Sequence, residues 1–194
     1  APISNSLTRS LLRCLQTVAA LLEGFIINNN HCKQKNLMIH CTSVIVDNTF
    51  CELFNPQTIK QCKDQVKGPN LLGFDEAKEL LLKPFVDNSS VKPPSIELSK
   101  ASTLPRFGES REAGYDRIRR GLVQTMMMDN NENKNDVTLV VTHGDALNAC
   151  MLQLKGPNTV VYACEYLGYY FVEKTDDGNR TEVLSANGVE WFEE

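Results

Sequence analysis

One histidine stands out because of the segment that carries it. His143 follows the apolar run of residues 137–141 and precedes Gly144, in the sequence DVTLVVTHGDALNAC. At the carboxyl end of a strand in an α/β sheet, an imidazole and the positive end of the next helix together favour an anion. Gly144 lets the backbone turn tightly or approach a ligand. The pattern predicts an anion site at His143; a hydrogen-bonded loop histidine is the alternative interpretation.

An arginine near the start of the chain offers matching chemistry. Arg13 lies in the sequence LLRCLQT, among leucines, and so does not fall on an obviously polar helix face. The guanidinium group presents a planar fork of N–H donors that fits phosphate oxygens. We therefore interpret Arg13 as a candidate phosphate ligand, with a solvated surface arginine as the alternative.

The elements that must position these residues follow from the spacing of apolar residues. Gly24 is expected to end the first helix, and Asp145 is expected to cap the last one. The run of residues 137–141 is typical of a strand covered on both faces. Helices are predicted over residues 8–25, 74–85, 108–128 and 144–154, and extended segments over residues 37–50, 137–142, 159–166, 168–174 and 180–186.

Length and composition predict one α/β domain over residues 1–194, with residues 55–107 as an insertion or cap that contains six prolines. The net charge of −4 and the lack of a Lys/Arg block argue against nucleic acid as a partner. No apolar run is long enough to cross a membrane. The seven cysteines are odd in number and include no Cys-x-x-Cys pair, which favours a reducing, intracellular (cytoplasmic) setting and argues against a metal site.

Four motifs in order resemble the histidine phosphatase superfamily, which contains the phosphoglycerate mutase-like enzymes. They are SLLRCLQTVAALL, FCEL, FGESREAGYDRIRRGL and LVVTHGDALNACM, and the resemblance covers most of the chain outside residues 56–104. It implies a three-layer sandwich with a mostly parallel central sheet flanked by helices. It also implies a phosphatase that forms a phosphohistidine, acts on a phosphorylated small molecule or a phosphoprotein, and needs no cofactor.

The resemblance assigns roles to matching positions. Arg13 resembles the arginine that clamps the transferring phosphoryl group, and His143 the second pocket histidine; both, with Gly144, are predicted to bind substrate. Glu52 resembles the carboxyl that protonates the leaving oxygen and later activates water. Preorganised cationic donors and a proton donor are what phosphoryl transfer needs. Glu109 resembles a structural residue near a helix start, as does Ser110.

The family nucleophile is a histidine in an Arg-His-Gly motif at the end of a first strand, and His31, His40 and His143 do not stand in that motif. His40 is interpreted as a buried structural residue. One hypothesis is a phosphatase or mutase whose nucleophile strand lies outside these 194 residues. The other is an inactive pseudophosphatase that serves as a phosphate-binding or protein-interaction module. We favour the first, because a sheet without a central strand leaves unpaired groups at about 1–3 kcal/mol each.

A third hypothesis, an α/β-hydrolase esterase, comes from the His-Gly pair, which can also mark an oxyanion loop. It ranks below the others because the sequence lacks a Gly-x-Ser-x-Gly elbow, and Ser110 lacks the second glycine.

Overall fold

The fold is mixed α/β, as predicted at that level. The computed structural model describes residues 9–32, 41, 43–59, 72–86, 88, 91–99, 105–128, 137–174 and 181–193. None of the helices in these ranges combines the length and the apolar character that a membrane span requires. In chain order the elements are α1 Arg9–Cys32, β1 Ser43–Val46, a 3-10 turn Asn48–Phe50, α2 Phe74–Val86, β2 Ser95–Leu98, α3 Arg111–Met128, α4 Gly144–Lys155, β3 Thr159–Lys174 and β4 Thr181–Glu193.

The strands form two small sheets. β1 and β2 are parallel, with Ser43 opposite Ser95, so part of the region 55–107 pairs directly with the segment that precedes it. β3 and β4 form a long antiparallel hairpin. The sequence predicts two strands, over residues 159–166 and 168–174, where the structure has the single strand β3. The predicted break coincides with a register shift in the pairing with β4 between Cys164 and Tyr169.

The first helix is longer than predicted. α1 continues through Gly24 to Cys32, so the predicted end at Gly24 is wrong. The apolar stripe goes on beyond the glycine, with Ile26 only 3% exposed, and its burial favours continuation of the helix. α1 packs through Leu15 and Leu22 against α2 and β2. This packing fixes the helix that carries Arg13.

A second core cluster joins α3, α4 and the loop after the 3-10 turn. Its buried members include Leu53 from the loop, Ile118 from α3 and Ala149 from α4. The helices α3 and α4 therefore form one body with the segment that carries Glu52.

The segment before His143 is not a buried strand. Residues 137–143 pair with no described strand, and Val137 and Leu139 are 83% and 62% exposed. The prediction of a strand covered on both faces is wrong for this structure. Apolar side chains become buried only where other elements pack against them, and the described residues provide no such element along this segment. The segment is instead fixed at its end, where Thr142 Oγ1 donates to the carbonyl oxygen of Phe50 at 2.5 Å.

Substitution of two helical glycines by alanine should change the free energy of unfolding in opposite directions. In α1, a Cβ atom at Gly24 would meet nothing within 4 Å. We expect Gly24→Ala to raise the free energy of unfolding by about 0.5–1 kcal/mol. In α3, a Cβ at Gly121 would overlap the side chain of Thr49 and lie 3.3 Å from Phe50 Cζ. Gly121→Ala should lower the free energy of unfolding by about 1–2 kcal/mol.

Urea unfolding of the two variants measures these changes. Equal stabilisation by both alanines would contradict the close packing of α3 on the 3-10 turn.

Candidate functional site

The structure brings the first turns of α1 to the start of α4. Cys14 Sγ lies 3.3 Å from His143 Nε2, although the two residues are 129 positions apart in the chain. The charge of Arg13 acts on the ionisation of both side chains. Arg13 and His143, which the sequence singles out separately, therefore lie at one place on the molecule.

His143 is neutral at pH 7 in this environment. Burial, followed by the nearby positive charge of Arg13, lowers the pKa of the imidazole to about 4, against a smaller opposing effect of Asp145. Burial raises the pKa of the Cys14 thiol to about 11, so this group is neutral as well. The contact between them joins two uncharged groups. An anion that binds here would add a negative charge and favour the protonated imidazole.

Glu52 lies at the same place. Its negative charge acts on Cys14 from α1 and on Asp145 from α4, in each case raising the pKa. The loop that carries Glu52 is tied to the His143 segment by the hydrogen bond between Thr142 and Phe50. The three residues that the family resemblance assigns to catalysis are thus gathered from α1, the loop after the 3-10 turn and the start of α4.

A buried ion pair holds the Glu52 loop. Arg117 Nη2 lies 2.5 Å from Glu109 Oε1, and the two side chains are only 12% and 9% exposed. Arg117 Nη1 also donates to the carbonyl oxygen of Thr49 at 2.6 Å, and Arg117 Nη2 to that of Glu52 at 3.4 Å. Glu109 Oε1 accepts a hydrogen bond from the backbone N–H of Phe54 at 2.7 Å.

Glu109 thus occupies a structural position of the kind the resemblance implies. Its partner Arg117 is absent from the sequence-based candidates, since nothing in the pattern separates it from the other arginines of α3. Together the pair fixes the backbone on both sides of Glu52.

Asp145 has a different position from the one predicted. His143, not Asp145, is the N-cap of α4, and it makes no side-chain capping bond. Asp145 lies in the first turn of α4, half-buried. Burial and the charge of Glu52 raise the pKa of its carboxyl, while Arg111 and His143 oppose that change. Asp145 is therefore an additional acidic group of the site that the capping prediction missed.

Gly144 does not use the backbone conformation that is open to glycine alone. Its φ is not positive, and a Cβ there would come no closer than 3.9 Å to another atom, the side chain of Cys164. A close approach of a ligand to its backbone stays a prediction.

The flank of the site is formed by the first turns of α3 and α4. The hydroxyl of Tyr115, which is only 8% exposed, accepts hydrogen bonds from Arg111 Nη2 at 3.0 Å and from Asn148 Nδ2 at 2.9 Å. The Arg111 guanidinium also lies over the Tyr115 ring, 5.1 Å from its centre. None of these three residues is predicted from the sequence, because their proximity arises only when α3 packs beside α4.

The positions of the other two histidines in the chain differ in how far the structure describes them. His31 belongs to the last turn of α1, and His40 lies outside the described residues. Among the side chains that the structure describes, His143 is the one imidazole.

Comparisons with family models, with curated protein sequences and with solved structures each return no match. The functional interpretation therefore depends on the motifs and on the arrangement of the side chains.

Proposed function

We propose that this chain binds a phosphomonoester and belongs to a phosphatase of the histidine phosphatase type, located in the cytoplasm. The nucleophilic histidine would lie outside these 194 residues. The observation that carries the proposal is the 3.3 Å contact between Cys14 and His143, together with the effect of the Arg13 charge on both side chains. Glu52 acts electrostatically on the same groups.

Each side chain has a part in the proposed reaction. The fork of Arg13 binds two oxygens of the phosphoryl group. His143 stabilises the charge that spreads over those oxygens as the phosphoryl group is transferred. Glu52 gives its proton to the leaving oxygen and later takes one from the attacking water. A phosphorylated small molecule or a phosphoprotein would be the substrate.

The proposal includes a three-layer sandwich with a mostly parallel central sheet, with residues 55–107 as a cap.

Calorimetry with phenylphosphonate, a phosphate ester analogue that cannot be hydrolysed, tests the anion site. We expect Arg13→Ala to weaken binding at least tenfold, since a charge-assisted hydrogen bond contributes about 1.5–3 kcal/mol. Arg120→Ala is the matched control; this arginine of α3 donates to the Asp116 carbonyl oxygen and should leave affinity unchanged. Absence of binding to the wild-type protein would refute the proposal.

A non-catalytic phosphate-binding module is the second candidate. It is favoured by the sequence, in which none of the three histidines stands in an Arg-His-Gly motif. Hydrolysis of p-nitrophenyl phosphate without added metal, and its loss in His143→Ala, would support the phosphatase. Binding of phenylphosphonate without turnover, by a polypeptide that includes an Arg-His-Gly strand, would support the module.

A further inference from the structure

The contact between Cys14 and His143 joins two side chains that are both metal ligands. Cys14 Sγ lies 3.3 Å from His143 Nε2. In a tetrahedral zinc site the Zn–S distance is about 2.3 Å and the Zn–N distance about 2.0–2.1 Å, so the two ligand atoms lie about 3.6 Å apart. The sulfur and the nitrogen are therefore already close to the separation at which both can bind one zinc ion.

The protonation states of the pair suit a metal ion that replaces one proton. Burial keeps the imidazole of His143 neutral, with a pKa of about 4, and the neutral imidazole is the form that binds metals. The thiol of Cys14 is protonated at pH 7, because burial raises its pKa to about 11. A bound metal displaces the thiol proton, and the cost of removing that proton makes the site weaker than one that starts from a thiolate.

Charged groups from three elements act on the pair in opposite directions. After burial, Arg13 of α1 has the largest effect on the pKa of both side chains, and its positive charge opposes a bound cation. Glu52 acts on Cys14 and Asp145 acts on His143, and both negative charges favour a cation. The same arginine thus favours a bound phosphate and disfavours a bound metal ion, so the two ligands have opposite requirements at one place.

The two ligands cannot be recognised from residue spacing, because they lie 129 positions apart in the chain. Among the residues that the structure describes, no group of three or more metal ligands is present. The remaining positions of a tetrahedral ion therefore fall to water or to an oxygen of a bound anion. Structural zinc sites use four protein ligands, so a pair fits reversible binding rather than a structural role.

We infer that Cys14 and His143 bind a zinc ion, and that this ion inhibits binding of phosphate esters. Sγ and Nε2 each form a bond to the metal, and the proton of Cys14 leaves to solvent; nothing is oxidised or reduced. With Nε2 bound to the metal, His143 can no longer take up a proton there to stabilise a phosphoryl group. The inhibition rests on the proposed function, whereas the metal site does not.

Titration with Co²⁺ tests the metal site, because a thiolate bound to Co²⁺ absorbs in the near ultraviolet. We expect this absorption in the wild type, and Zn²⁺ should remove it by displacing Co²⁺. Cys14→Ser and His143→Asn should each weaken Co²⁺ binding at least about tenfold. Cys41→Ser, which removes another half-buried thiol, is the matched control and should leave it unchanged. Absence of the absorption in the wild type, or its full retention in Cys14→Ser, would overturn the site.

Calorimetry with phenylphosphonate, without and with saturating Zn²⁺, tests the inhibition. Zinc should weaken phenylphosphonate binding to the wild type at least about tenfold. Cys14→Ser should bind phenylphosphonate as the metal-free wild type does, which also shows that it is folded, and zinc should not change its affinity. Arg13→Ala should bind Co²⁺ about two- to tenfold more tightly than the wild type, although it binds phenylphosphonate more weakly.

The outcomes separate the inference from the proposed function. Zinc that binds to the wild type without changing its affinity for phenylphosphonate would overturn the inhibition, and weaker Co²⁺ binding in Arg13→Ala would contradict a shared site. Both results leave the phosphate site intact. Failure of phenylphosphonate to bind the metal-free wild type would instead overturn the proposed function and the inhibition, while the Co²⁺ titration would still decide the metal site.

Discussion

Replacing Arg117 by alanine is expected to lower the free energy of unfolding by about 3–5 kcal/mol. The substitution leaves the Glu109 carboxylate buried without its partner, and that side chain is only 9% exposed. It also removes the donor to the carbonyl oxygens of Thr49 and Glu52. Chemical denaturation at pH 7 measures the loss.

Two comparisons separate the buried charge from other effects. The double variant Glu109→Leu with Arg117→Met leaves no unpaired charge, so it should lose clearly less stability than Arg117→Ala alone. Arg119→Ala breaks an exposed ion pair with Asp116 on the same helix and should change stability by less than about 1 kcal/mol. An Arg117→Ala effect as small as that of Arg119→Ala would contradict a structural role for the pair.

Acid should destabilise the wild-type protein more than a variant with His143→Asn. The pKa of His143 is about 4 in the folded protein, against an ordinary 6.5. Between these values the unfolded chain binds more protons than the folded one, so stability falls as the pH falls from about 6.5 towards 4. Between pH 7.5 and pH 4.5 the wild type should lose about 2–3 kcal/mol more than the variant.

Urea unfolding at the two pH values measures this difference. The carboxyl groups common to both proteins contribute to both curves, and comparison with the asparagine variant isolates the imidazole. Parallel losses in the two proteins would show that His143 is not buried in its neutral form.

The helices were largely predictable because their signals are local. The apolar spacing of residues 74–85 predicts a helix, and the structure confirms a helix over Phe74–Val86. The long helix predicted over residues 108–128 is confirmed as Arg111–Met128. The end of α1 was not predictable from Gly24, because burial of Ile26 outweighs the cost of one helical glycine.

The site was predictable only in part. Arg13 and His143 stand in motifs with recognisable residue types, so they could be chosen without a structure. Cys14 and Arg117 could not, because what distinguishes each is a partner far away in the chain. The prediction of a strand over residues 137–142 was wrong for a related reason. An apolar run indicates that burial of its side chains is favourable, but it does not identify the elements that would cover them.

The exposed segment that precedes His143 is expected to promote aggregation of the protein. Residues 137–141 present β-branched and apolar side chains to water beside backbone groups that no described strand engages. Exposed extended segments of this kind can pair with the same segment of another molecule and start aggregation. Concentrated or warmed samples are therefore expected to self-associate through this edge. A lysine in place of the exposed Leu139 would reduce this association, because a charged side chain disfavours pairing between molecules.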